Sequence, residues 1–129
     1  ELIIDKEEYL VEQIKIAVIE LVNALPQLEG KDIRIVKYLQ KKIDHNFREL
    51  RMIFSKHKKM TIEKYFILQR IEKVKELIDD NELSYKDIAY YTGYKATQHL
   101  AGQFKRITGL TMDQYKNAKE KNRKGIDQI

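Results

Sequence analysis

A chain of 129 residues, 35% charged and 43% hydrophobic, suffices for one solvated globular domain or two very small ones around a shared element, and is too apolar for disorder. It has no cysteine, which excludes a disulfide scaffold, a thiolate zinc site and a cysteine nucleophile. The net charge of +5 hides a gradient from −5 over residues 1–30 to +10 over residues 31–129, a basic body with one acidic end that suits a polyanionic partner, most simply nucleic acid.

The chain opens on Glu1 rather than methionine, which reads as an excised fragment with an upstream domain expected before it. From Asp5 to about Leu25, the residues Leu10, Ile14, Val18, Leu21 and Leu25 recur at helical spacing and predict one amphipathic helix. Its run "IKIAVIELVNAL" is interrupted by Lys15 and Glu20 and is shorter than the roughly 20 apolar residues of a bilayer span, so no membrane partner is expected. No secretory signal is visible, and a cytoplasmic location is expected.

Pro26 and Gly30 in "LPQLEGKD" break the first helix, and Ile33, Val36, Leu39 and Ile43 mark a second. Asn46 is a suitable N-cap for a third, with Phe47, Leu50, Ile53 and Phe54 inward. Thr61 starts a long fourth helix along Ile62, Tyr65, Leu68, Ile71, Val74 and Ile78, which "DDNE" ends. Ser84, followed by Asp87, opens a short fifth helix through Ile88 and Ala89. Thr97 is expected to cap the sixth, and Thr111 with Gln114 the seventh. No stretch alternates long enough for a strand, so the fold class is all-α with seven helices.

An internal repeat organises these helices. At an offset of 50 residues Leu50 falls on Leu100, Phe54 on Phe104, Thr61 on Thr111 and Tyr65 on Tyr115, while Leu39 falls on Ala89 and Ile62 on Met112. Each unit is a short helix, a tight turn, a second helix with Leu-x-x-x-Phe inward, and a further helix anchored by Tyr. The long helix closes the first unit and opens the second. The organisation expected is an N-terminal subdomain over 1–60, a linker helix over 61–80, and a C-terminal subdomain with a basic tail over 81–129.

Two short helices joined by a turn of about three or four residues containing Gly form a helix-turn-helix signature. In "DIAYYTGYKATQHLAGQF", Ala89 is small enough for close helix approach, and Gly93 supplies the backbone freedom of the turn. With Leu100 and Phe104 inward, the residues Lys95, Thr97, Gln98, His99, Gly102, Gln103 and Arg106 are expected outward, where amide, imidazole and guanidinium groups suit base edges and phosphates.

The segment "LSYKDIAYYTGYKATQHLAGQFKRITGLTMDQYK" resembles the C-terminal signature of AraC/XylS transcription regulators. The similarity lies in Ile88–Ala89, the Gly93–Tyr94 turn, Leu100, Phe104–Lys105, Thr108–Gly109 and Tyr115, with "RIEKVKELI" similar to the end of that family's linker helix. It covers about residues 33–120. The resemblance implies seven helices in two homeodomain-like helix-turn-helix subdomains, each placing a recognition helix in the major groove. It also implies base-reading positions at Arg48, Arg51 and Met52 in the first unit, and at Gln98, His99 and Gly102 in the second. This chain departs from the family pattern at Ile43, in the place of Gly93; at Lys59, in the place of Gly109; and at Met112, in the place of a usual proline. The opening "ELIIDKEEYLVEQIK" resembles the junction after a small ferredoxin-like, heavy-metal-associated-type domain in one subgroup.

Lys56, His57, Lys58 and Lys59 form a basic run just after the first recognition helix, read either as a phosphate contact or as a solvated loop, and Lys116, Lys119, Lys121, Arg123 and Lys124 a basic tail. His45, His57 and His99 lack a ligand spacing, so neither metal nor cofactor is expected. Nothing in the sequence makes a case for an enzyme. The expected function is sequence-specific binding of double-stranded DNA in bacterial transcription regulation, through helices near 46–57 and 96–107, with RNA polymerase a further expected partner. The competing expectation is a helical protein-interaction module whose first unit has lost DNA reading. An exposed apolar patch on those two helices would favour it.

Overall fold

The computed structural model describes residues 5–28 and 34–127, with side chains through residue 122. Within them the chain forms α1 (Lys6–Ala24), a 3-10 turn (Leu25–Leu28), α2 (Ile35–Lys42), α3 (Phe47–Lys58), α4 (Ile62–Asp80), α5 (Tyr85–Tyr91), α6 (Thr97–Thr108) and α7 (Met112–Asp127), and no strand. Ile33, Gly30 and the opening residues 1–4 lie outside the described residues, as do the side chains of Arg123 and Lys124.

Local chemistry sets the helix starts. Orphan amides in the first turn are met by side-chain acceptors: Asp5 takes the Glu7 amide at 2.9 Å, Asn46 that of Arg48 at 2.7 Å, Thr61 that of Lys64 at 3.0 Å and Ser84 that of Asp87 at 3.1 Å. Thr111 and Gln114 form a reciprocal capping box, with bonds of 3.0 and 2.9 Å. Thr97 departs from its expected role. The carbonyl of Ala96 already accepts from the amides of His99 and Leu100, so Ala96 holds the cap position without a side-chain bond and Thr97 is the first helical residue.

The 50-residue repeat is visible in the backbone: α3 and α6 have 12 residues each and start at Phe47 and Thr97. Both end on a left-handed residue, Lys59 at φ 58° and Gly109 at φ 79°. Lysine therefore adopts the conformation that glycine takes at the matching place, at a small steric cost. In each unit the phenylalanine meets the next helix's tyrosine edge to face, Phe54 with Tyr65 at 5.4 Å and Phe104 with Tyr115 at 5.7 Å.

Two separate cores result. The first joins α1, the 3-10 turn, α2 and α3 to Ile62 and Phe66 of α4; the second joins Ile71, Val74 and Ile78 of α4 to α5, α6 and Met112 of α7. The long helix changes core between Phe66 and Ile71. Its inward row steps by four residues through Ile62, Phe66, Val74 and Ile78, with Arg70 in the one place where an apolar residue would continue the row. Tyr65 and Leu68, expected on this row, are half-buried beside it, and Phe66 takes the deeper position.

Candidate nucleic-acid interface

In the first unit, burial of Phe47, Leu50 and Phe54 fixes the rotation of α3. Arg48, Arg51 and Met52 then face solvent, Met52 at 65% of its full exposure. Arg51 is engaged within the chain: its guanidinium pairs with Glu63 in the first turn of α4 and lies 4.9 Å from the centre of the Phe47 ring. Among the described residues the other carboxylate oxygen of Glu63 is buried without a hydrogen-bond partner, so Arg51 orients that group.

The basic run is helical over 56–58, because the inward Phe54 and the left-handed stop at Lys59 keep α3 regular through Lys58. It is also tethered. Glu7 in the first turn of α1 meets His57 Nε2 at 2.8 Å and Lys56 Nζ at 3.1 Å. The His57 hydrogen bond, followed by that of Lys56, holds the Glu7 carboxyl below its ordinary range.

In the second unit, Leu100 and Phe104 are fully buried, and Lys95, Gln98, His99, Gly102 and Arg106 are exposed. Thr97 is half-buried. So is Gln103, which was expected outward: the Tyr94 hydroxyl donates to its Oε1 at 2.5 Å and draws the side chain toward the turn. A Cβ added at Gly102 would meet nothing within 4 Å, which leaves a gap in the polar face.

The turn itself is anchored from α4. Arg70 Nε donates to the Thr92 carbonyl at 3.0 Å, and its guanidinium stacks 4.0 Å from the Tyr94 ring centre and 5.2 Å from that of Phe66. Burial lowers the Arg70 pKa from its ordinary value, and the neighbouring Tyr94 works against that shift. Gly93 is left-handed at φ 81°, and a Cβ there would lie 3.4 Å from Arg70 Nη2 and 3.8 Å from Leu25 Cδ2. Those are ordinary contact distances, so it is the left-handed backbone that suits glycine. The matching Ile43 has φ −122°, so the first turn takes an extended path in which a β-branched residue fits.

Comparison with known proteins bears on this arrangement. A family of helix-turn-helix domains matches residues 41–118, more than half of the chain. This chain belongs to that family, in its AraC type. The melibiose operon regulatory protein of Escherichia coli K12 is 27% identical to the AraC-type chain over 71 residues, which span 55% of the chain and 24% of that regulator. The C-terminal domain of AraT, a response regulator from Geobacillus stearothermophilus, superposes with a TM-score of 0.72 at 17% identity, covering 88% of both chains. The DNA-binding domain of AdpA, solved in complex with a target DNA, gives 0.65 at 18% identity, covering 83% of this chain and 96% of its own. The all-α fold with two helix-turn-helix units is the one these domains share, and the chain is a DNA-binding module of the AraC type.

Neither candidate helix of the AraC-type module carries an apolar patch: Met52 is the one strongly exposed large apolar residue on α3, and α6 has none. Sequence reasoning missed Glu63, Arg70 and Tyr94 as parts of the site. A readable signal existed for Arg70, a cation in the middle of an apolar row of period four. For Glu63 there was none, since an acid near a helix start is ordinary.

Proposed function

We propose that the module binds double-stranded DNA by laying α3 and α6 into successive stretches of one major-groove face, with α4 setting their separation. Residues 1–60 and 81–129 act as the two reading subdomains and 61–80 as their shared linker. The supporting observation is the duplication itself: two helices of equal length, each rotated by a buried Leu-x-x-x-Phe pair so that its polar side is outward.

In this reading Arg48 and Arg51 donate to guanine N7 and O6, and Met52 meets a thymine methyl. Gln98 and His99 read base edges in the second stretch, with Gly102 leaving room for the duplex backbone to approach. Lys95, Thr97 and Arg106 hold phosphates and set register. The module acts in the cytoplasm within a longer regulator whose further partner is RNA polymerase.

Selection of bound sequences from a random duplex pool tests the docking. The expected product is a motif with two elements roughly 10 base pairs apart. Log affinity for it should fall steeply with log salt, by about 0.9 per phosphate contact. A single short element, or a flat salt dependence, overturns the two-helix reading.

A further inference from the structure

Tyr94 is only 4% exposed, and its position is fixed from several sides. Its amide donates to the Ala89 carbonyl at 2.9 Å, Arg70 covers one face of the ring, and the His99 ring stands against it edge to face at 5.3 Å. Arg70 is held in turn by the Thr92 carbonyl, and the Thr92 hydroxyl closes on the Ile88 carbonyl at 2.6 Å. A continuous chain of contacts therefore runs from the linker helix through the turn to Gln103. That residue lies on α6 between the exposed His99 and Arg106, four residues after the first and three before the second.

A glutamine amide offers one acceptor oxygen and a nitrogen with two donor hydrogens. Adenine recognition uses both at once, the oxygen taking N6–H and the nitrogen giving to N7. An amide oxygen directed at a buried phenol cannot share a plane with a base in that way. We infer that Gln103 determines specificity by reading a hydrogen-bond acceptor that adenine lacks, the O6 of guanine or the O4 of thymine, and that Tyr94 is the positioning residue that withholds its amide oxygen. This rests on the docking of α6 proposed above.

Affinities of the chain and its Gln103→Ala, Tyr94→Phe and doubly substituted forms, measured on the selected site and its single-base variants, test it. Gln103→Ala should lose discrimination at one base pair by roughly five- to tenfold, the size of one hydrogen bond. Tyr94→Phe keeps the ring under Arg70 and frees the amide, so adenine should become accepted at that same pair, a gain that mere loosening of the turn would not produce. In the Gln103→Ala background Tyr94→Phe should change nothing further. An even loss over all sequences on Gln103→Ala would make the residue a phosphate contact and overturn the inference. So would a Tyr94→Phe effect that persists in the Gln103→Ala background. Thermal melts report whether Tyr94→Phe folds; if it does not, the Gln103→Ala profile decides. A parent chain that enriches no sequence overturns the docking itself, a distinct result.

Discussion

The two helix-turn-helix units share a backbone plan, yet hold their recognition helices by different physics. In the first, Arg51 crosses to Glu63, and the far end of α3 is tied to α1 through Glu7. The Arg51 and Lys56 contacts are ion pairs at partly exposed side chains, so salt screens them and a phosphate can replace the carboxylate. In the second, the polar face is organised from below by the buried Tyr94 and the half-buried Arg70, through a neutral hydrogen bond from Tyr94 to Gln103 and a guanidinium stacked on the Tyr94 ring, with no carboxylate partner among the described residues. Such contacts change little with salt. The same offset of 50 residues relates Glu63 to Asp113, but Asp113 accepts from the Tyr85 hydroxyl at 2.7 Å and leaves α6 alone. One unit therefore presents an exchangeable surface and the other a preformed one. Duplication conserves the scaffold more readily than the support of the site.

The sharpest way to break this comparison is to remove each core separately. Phe54 and Phe104 are both fully buried. Phe104→Ala should cost about 3–5 kcal/mol, with amide exchange accelerating mainly in α5, α6 and α7. Phe54→Ala should act alike on α1, α2 and α3. Equal acceleration throughout the chain in both variants would mean that the two cores melt as one.

Glu63→Gln probes the exchangeable surface. Arg51 becomes free for DNA, so affinity should rise by up to about fivefold, the upper size of an exposed ion pair, and the salt slope should steepen by about 0.9. Thermal stability should fall at the same time, because a favourable charge in the first turn of α4 is lost. Affinity and stability falling together would show that Glu63 supports Arg51 for DNA rather than competing for it.

Gly102→Ala addresses the gap on α6. The added methyl meets nothing within 4 Å, so the helix should gain about 0.5–1 kcal/mol in a denaturant titration. A loss of stability would mean that the exposed face is more crowded than its geometry shows.

The smallest effect concerns pH. The Glu7 carboxyl is held below its ordinary pKa of 4.5, so its contribution is fully present above that value and is lost as pH falls through the depressed one. Glu7→Gln should flatten the acid side of a plot of melting temperature against pH. An unchanged acid side would show that the tether of α1 to α3 adds no stability.

Much of this architecture is legible in the order of residues alone. Helix starts follow from Asp5, Asn46, Thr61, Ser84 and Thr111, because capping is decided within four residues of chain. The rotation of α3 and α6 follows from Leu50, Phe54, Leu100 and Phe104, since apolar spacing states which side must leave water. The exposed positions Gln98 and His99 come out of the same periodicity, and Arg48, Arg51 and Met52 out of the resemblance to AraC/XylS regulators. What each exposed side chain is free to do was settled elsewhere. Arg51 meets an acid 12 residues away, Gln103 a phenol across the turn, and Arg70 a carbonyl 22 residues on. Periodicity carries only the direction of a residue about its own helix axis. Partners on other helices depend on how those axes pack, and that packing is a property of the assembled cores.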